Sequence, residues 1–381
     1  MQRSTALRRS QALLLHSRHC RVRARGLSQL SVAASGRKFE ASDIQLGCIW
    51  LSGLVDRGVE SLDVDPGQEQ ANELVAAALG AGITDFDTAP LYGYGLSEER
   101  LGAALAAAGP ELAQQAVIYT KMGRLIRGPS GSDIVNDYTA AGADLSLSES
   151  LARLGVDSIH TLRVHDANDS DTQRKDGVDE VAVCNADGGC VSRMVALREQ
   201  GVISGVSIGA NSNAYNKEFY GTVGHHQGVP DEIIRLIQEA PAGSFDSALL
   251  AGGWNLLNQA GTPVMVECQR AGIAVHVAGV FNTGLLVGGD TYAYAKAPEP
   301  MIESARAWGT LAAKHGVSLP AVALAFAAIP ECVEKLVIGM ATAEEVAQNI
   351  EWLAEAHAVP ASIWVEAKSE GLLSPDVVTP A

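Results

Sequence analysis

Aromatic residues are scarce in this chain of 381 residues, at 5%, and cysteines number only six. Cys20 lies in a basic amino-terminal arm. The other five (Cys48, Cys184, Cys190, Cys268, Cys332) are an odd number at spacings that match no metal or redox motif. They are expected to be buried or incidental thiols in a reducing compartment, with no bound metal. Only Cys184 and Cys190 are close enough in sequence for a labile bridge, a pairing the reading does not favour. No apolar run approaches the ~18 residues needed to cross a bilayer, which argues for a soluble globular protein with no membrane partner. Ala, Gly, Val and Leu dominate instead, and the length suits one large α/β barrel or two medium domains.

Acidic residues are missing from the first 39 positions, which carry Arg3, Arg8, Arg9, Arg18, Arg21, Arg23, Arg25, Arg37 and Lys38. Taking these nine cations from a chain of net charge −16 leaves −25 on the rest. Such a body should repel nucleic acid and anionic membranes, so an anionic ligand needs local donors. The arm is Arg-rich and Ser-containing, with an apolar patch from Ala12 to Leu15 that is too short for a secretory signal. That is the composition of a mitochondrial or plastid transit peptide. The expected division is an arm over 1–39 and a folded body over 40–381; a merely disordered basic tail would leave the protein cytoplasmic.

From Asp43 onward, short β-like runs alternate with helical patterns. Strands are expected at Ile44–Trp50, Thr84–Phe86, Ala116–Thr120, Ser158–Val164, Ile203–Ile208, Phe245–Leu250, Ile273–Val277 and Lys335–Ile338. Helices are expected at Gln68–Leu79, Ser97–Ala108, Ala143–Leu154 (stopped by Gly155), Val191–Glu199, Asp231–Glu239, Val264–Ala271, Glu303–His315, Leu319–Ala328 and Ala343–Ala354. Eight such pairs without a break in composition predict a single (β/α)₈ barrel. Asn168–Gly189 and Tyr215–Pro230 are polar, Gly- and Asp-rich, and predicted to be loop insertions.

The stretch Asp85–Gly102 (DFDTAPLYGYGLSEERLG) reads as strand, polar loop and helix, with Ser97 as the expected N-cap. It sets Asp87 and Tyr92 at a strand's carboxyl end, where α/β folds keep their chemistry. Lys121 ends the third strand and His165 the fourth, so four ionisable groups converge on one barrel mouth. They suit proton transfer to or from a carbonyl or hydroxyl oxygen while hydride moves at the carbon. An ammonium beside a phenol should draw its pKa down from about 10. Lys121 would supply that charge, Asp87 would pair with Lys121, and His165 would orient the substrate oxygen.

DFDTAPLYGYGLSEERLGAAL, YTKMG, SLARLGVDSIHTLRVHD and VFNTGLL together resemble the aldo-keto reductases, NAD(P)-dependent oxidoreductases on a (β/α)₈ barrel. The resemblance runs from about Phe39 to Leu373 and includes the family's Asp, Tyr, Lys, His tetrad. It implies that Tyr92 is the general acid or base, tuned by Lys121 and Asp87, with His165 orienting the substrate. Within the family, LLAGGWNLLNQ, AGVFNTGLLVGG, the segment around Tyr292 and Tyr294, and WVEAKSEGLL resemble the aldose 1-dehydrogenase group, which includes sugar dehydrogenases and a pyridoxal dehydrogenase. These mostly oxidise the anomeric carbon of a pyranose to a lactone. The resemblance leaves two other readings, an NADPH-dependent aldehyde or ketone reductase and a redox-sensing regulatory subunit.

For the cofactor, the backbone of Asn282, Thr283, Gly284 and Leu285 could line a pyrophosphate. GMATAEEVAQN resembles the family's adenosine-phosphate segment, with Gly339, Thr342 and Asn349 matching by position. Met340 and Glu345 stand where 2′-phosphate-specific enzymes carry basic side chains, which favours NAD or dual use over NADP alone. The family's Ser-Asn pair, strand-six Gln and stacking aromatic fall at Gly209 and Ala210, Ala251 and Ala278. Asn211 is then the expected carboxamide anchor, with Phe281 or Trp254 as the ring, although Trp254 reads equally as core. The substrate is expected to be a small molecule, and oligomeric state is left open.

Overall fold

A computed structural model describes residues 30–32, 37–52, 65–127, 134–167, 177–213, 229–293 and 295–380. Eight parallel strands close into a barrel: β1 (Ile44–Gly47), β2 (Asp85–Asp87), β3 (Val117–Met122), β4 (Thr161–His165), β5 (Gly205–Asn211), β6 (Ser247–Ala251), β7 (Ala274–Ala278) and β8 (Val333–Gly339). Closure joins β1 to β8, with Ile44 opposite Leu336 and Gly47 opposite Gly339. Each expected strand is present, most displaced by one to three residues toward its carboxyl end. The exceptions are β8, which is longer than expected at both ends, and β1, where Cys48–Ser52 curls into a 3₁₀ turn instead of extending to Trp50.

The surrounding helices form because their apolar positions fall on one stripe. In α1 (Gly67–Gly80) the buried residues Ala71, Leu74, Val75 and Ala78 follow the i, i+3, i+4, i+7 spacing. Gly155 ends the helix Ala140–Leu154 in the left-handed conformation that the Gly stop signal implied. Burying a Leu or Phe side chain contributes roughly 2 kcal/mol, and the barrel wall supplies many, Phe86, Leu162, Val206 and Leu336 among them.

Three local features differ from the sequence expectations. Ser97 is not an N-cap: the helix α2 (Leu96–Ala108) starts one residue earlier, behind Gly95 in a left-handed conformation. The Ser97 hydroxyl instead donates to the Cys48 carbonyl (2.7 Å) and lies 2.9 Å from the Thr88 hydroxyl, tying the exit of β2 to that of β1. Second, the end of the 168–189 insertion contains a helix, Glu180–Asn185, capped by Asp179 and burying Val181 and Cys184. Residues 168–176 and 215–228 lie outside the described residues, as does the arm before Leu30. Third, part of the stretch assigned to the arm packs on the body. Leu30 and Phe39 are buried, Val32 pairs with Pro330, and the Arg37 guanidinium donates to the Val333 carbonyl (3.3 Å) and to Asp43.

The five described cysteines are all free, four of them buried. The Cys184 thiol is held protonated by its hydrogen bond to Cys190 and by burial. Among the described residues no single helix is long and apolar enough to cross a membrane, and no group of three His, Cys, Asp or Glu is placed to hold a metal ion.

Candidate active site

Tyr92 is presented by a turn that depends on glycine. Gly93, Tyr94 and Gly95 have φ of 57°, 54° and 96°, three successive residues in the left-handed region. A Cβ on Gly93 would lie 2.3 Å from that of Ser52, so the YGYG sequence is required by space as well as by φ. Tyr94 adopts this conformation without being Gly, a strain that tends to persist where a site needs it. The result sets the Tyr92 ring under Lys121, whose Nζ is 4.6 Å from the ring centroid. The His165 ring stands perpendicular to it at 6.1 Å.

Lys121 is buried, and its ammonium donates to Asp87 Oδ2 (2.6 Å) and to the Thr88 carbonyl (2.8 Å). The barrel register explains the meeting: Asp87 sits beside Tyr119 on β3, and Lys121 follows two residues later on the same face. All four predicted residues are thus brought together. Sequence reasoning passed over a fifth member, Arg163. Its Nε donates to the other Asp87 oxygen at 2.9 Å, and it is fully buried. The signal was available, since Arg163 and His165 are two apart on one strand and must share a face.

The electrostatics reverse one expectation. The Tyr92 phenol is pushed well above its ordinary range, first by burial, then by the negative charges of Asp87 and Asp166. Arg163 acts in the opposite sense. Burial lowers Lys121, against the pull of Asp87. An ion pair closed at 2.6 Å presents little net charge to its neighbours, so Lys121 does not bring the phenol down as its isolated charge would.

Beyond His165 the chain turns through Asp166, at φ 46°. Its carboxylate accepts from the backbone N–H (3.0 Å) and side-chain amide (3.2 Å) of Asn211 and lies 3.6 Å from the Arg124 guanidinium. Asn211 is therefore held at the end of β5 by a residue adjacent to His165.

The other predicted ligand residues lie on the same rim, beyond β7 and β8. Asn282, Thr283 and Gly284 form a second run of three left-handed residues, at φ 52°, 56° and 108°. The Asn282 side chain turns inward, its amide donating to Asn255 Oδ1 (3.2 Å), so only its backbone can face a ligand. Leu285 is buried. After β8, Gly339 lies against the Trp50 indole, and Thr342 caps the helix α3 (Ala343–Ala356) by accepting from the Glu345 N–H. The Glu345 carboxylate accepts from the Ala341 N–H at 2.6 Å. Asn349 is buried, donating to the Glu345 carbonyl at 2.8 Å. Trp254 is core, stacked on Phe326 at 4.8 Å, while Phe281 packs edge-on against Trp352.

The sequence profile of the aldo/keto reductase family matches residues 64–360. The chain belongs to the aldo-keto reductases. It is similar to D-threo-aldose 1-dehydrogenase of Pseudomonas sp, 30% identical over 321 residues that cover 78% of this chain and 87% of that protein. It is also similar to pyridoxal 4-dehydrogenase of Microbacterium luteolum, 29% identical over 388 residues covering 94% and 100%. Among solved structures, the glycerol dehydrogenase of Gluconobacter oxydans superposes with a TM-score of 0.61 at 18% identity, covering 94% of this chain and 98% of that one, which shows the shared fold.

Aldo-keto reductases use a nicotinamide cofactor, and the residues present fit one. The amino end of α3 offers the positive end of a helix dipole. Asn349 Oδ1 is buried without a hydrogen-bond partner among the described residues, an acceptor placed to receive a donor such as an exocyclic amine. The rim of this aldo-keto reductase at β6 and β7 ends in the small residues Ala251 and Ala278, which share a register level with Asn211 on β5.

Proposed function

We propose that the protein is an NAD-dependent aldose 1-dehydrogenase, oxidising the anomeric carbon of a cyclic hemiacetal to a lactone. The observation that carries this reading is the near-full-length likeness to two dehydrogenases whose named substrates, an aldose and pyridoxal, each hold an aldehyde that an internal hydroxyl can trap as a ring. The tetrad geometry supports it. Tyr92 takes the proton of the anomeric hydroxyl, His165 orients that oxygen, and Asn211, fixed by Asp166, orients the nicotinamide carboxamide. When bound, the cofactor supplies the hydride acceptor for C1. The test is a panel of fucose, galactose, arabinose and pyridoxal with NAD⁺ and NADP⁺, with mass analysis of the product. Lactone formation from at least one sugar is expected, and failure across the panel would falsify the assignment.

A second reading has its own support. The raised Tyr92 phenol is a proton donor at neutral pH, which is the form needed to reduce an aldehyde or ketone. The same panel run with reduced cofactor and simple aldehydes separates the two by their relative kcat/KM.

The choice of NAD rests on Glu345, whose carboxylate is fixed at the start of α3, where a 2′-phosphate would meet like charge. Glu345→Gln keeps an acceptor for the Ala341 N–H and removes the charge. The ratio of kcat/KM for NADP⁺ to that for NAD⁺ should rise about tenfold, the equivalent of roughly 1.4 kcal/mol. An unchanged ratio removes Glu345 from cofactor discrimination.

A further inference from the structure

Asp87 has two oxygens and serves two cations. Oδ2 takes the Lys121 ammonium at 2.6 Å and Oδ1 takes Arg163 Nε at 2.9 Å. Both cations are buried, and an arginine cannot shed its proton as a buried lysine can. The guanidinium is fixed on every side: one terminal nitrogen donates to the Ser207 hydroxyl (2.6 Å), the other to Gln45 Oε1 (3.2 Å) and to His276 Nδ1 (3.0 Å), and the plane lies over the Tyr119 ring at 4.7 Å. His276 can accept because it is neutral, its pKa lowered to about 4 by burial. A donor this well held sets the orientation of the carboxylate it meets.

The surrounding charges leave Arg163 in excess. Around the phenol stand Cys48 after β1, Asp87, Lys121, Arg163, His165 and Asp166. Lys121 is balanced by Asp87, and Asp166 by Arg124. On the far side of Arg163, Asp85 is matched by Lys335 at 3.1 Å, and the half-exposed Glu334 faces the other nitrogen of His276 at 3.9 Å. One buried positive charge therefore remains beside the Asp87–Lys121 pair. The barrel also makes room for it. A Cβ on Gly209 would sit 3.3 Å from Lys121 Cε and 3.4 Å from the Arg163 stem, which accounts for Gly at a position where the resemblance implied Ser.

We propose that Arg163 is a positioning residue of the catalytic cluster, fixing Asp87 so that it anchors Lys121 and supplying the positive charge that favours the Tyr92 phenolate, the form that takes a proton in oxidation. This rests on the dehydrogenase reading for its direction, while the geometry stands apart from it. The oxidative use of Tyr92 requires a charge that the neutralised Lys121 does not provide.

The experiment compares the full-length wild type with Arg163→Lys, which keeps the charge and loses the fork, and Arg163→Met, which keeps the volume and loses the charge. In oxidation, the acid limb of the kcat/KM profile reports formation of the phenolate, and in Arg163→Met it should move up by about one pH unit or more. Arg163→Lys should keep the limb near its wild-type position, with kcat lowered about tenfold by the lost orientation and KM little changed. A folded Arg163→Met with the wild-type limb and rate overturns the proposal. Should Arg163→Met not fold, Arg163→Lys decides alone, since wild-type kcat in that variant overturns the positioning role. If the wild type oxidises no sugar but reduces aldehydes, the function assignment fails and this proposal is still tested: loss of the phenol on the basic limb must shift upward in Arg163→Met. If neither direction turns over, the Tyr92 phenolate absorbance, taken against Tyr92→Phe, must show the same shift.

Discussion

Tyr92→Phe is expected to lower kcat about 10³-fold in either direction of the reaction, the range typical of losing a general acid or base. The substitution removes one oxygen and keeps the ring, so the contacts with Lys121 at 4.6 Å and with His165 at 6.1 Å remain available. Binding of NAD⁺, followed by fluorescence, should therefore change by less than about twofold, because the residues proposed to hold the cofactor follow β5, β7 and β8, whereas Tyr92 follows β2. A variant that turns over at the wild-type rate would remove the phenol from the chemistry. A variant that loses cofactor binding as well would point to a disturbed loop, since Gly93 to Gly95 has little conformational freedom to absorb a change.

Asp87→Asn carries the second large effect, and here stability and activity fall together. Two buried cations lose their shared counter-charge. Lys121 can respond by giving up its proton, whereas Arg163 cannot. Breaking a buried pair from one side costs about 3–5 kcal/mol. For a barrel of this size that is a fall in Tm of roughly 5 °C, taking about 2 cal/mol/K of unfolding entropy per residue. Turnover should drop by about 10²-fold or more, because a neutral, loosened Lys121 no longer sets the environment of Tyr92. The diagnostic measurement is the double variant Asp87→Asn with Arg163→Met. Once the cation that cannot neutralise is gone, much of the lost Tm should return, giving a coupling energy well above about 0.5 kcal/mol. Strict additivity of the two substitutions would show that Asp87 and Arg163 are not coupled.

Parts of this molecule could be read without its fold. The alternation of apolar runs gave the eight strands, and Gly155 marked its helix end, because both signals act within a few residues. Asp87, Tyr92, Lys121 and His165 were legible for a related reason: each sits at the carboxyl end of a strand, and a barrel gathers such ends on one rim. The short hairpin Arg124–Ile126 with Ile134–Asn136 and the final helix Ser362–Ser369 went unread, too brief to show a period. Ser97 was misplaced because the left-handed path through Gly93, Tyr94 and Gly95 moved the helix start by one residue, a matter of backbone geometry that the Ser-Glu-Glu pattern does not encode.

The chemistry of the site separates along the same line. Sequence alone determined the barrel, the family and the meeting of Asp87, Tyr92, Lys121 and His165 on one rim, since these depend on local patterning and on residues carried at or just beyond strand ends. Only the tertiary structure decided that Asp87 is shared with Arg163, 76 positions away, that Arg163 also reaches Gln45 across 118 positions, and that the Asn282 amide is spent on Asn255. Such pairings are fixed when the barrel closes and sets the register of every strand at once. Whether Lys121 lends its charge to Tyr92 depends on how deeply the pair is buried and on what else stands beside it, and a strand reveals neither until its neighbours are in place.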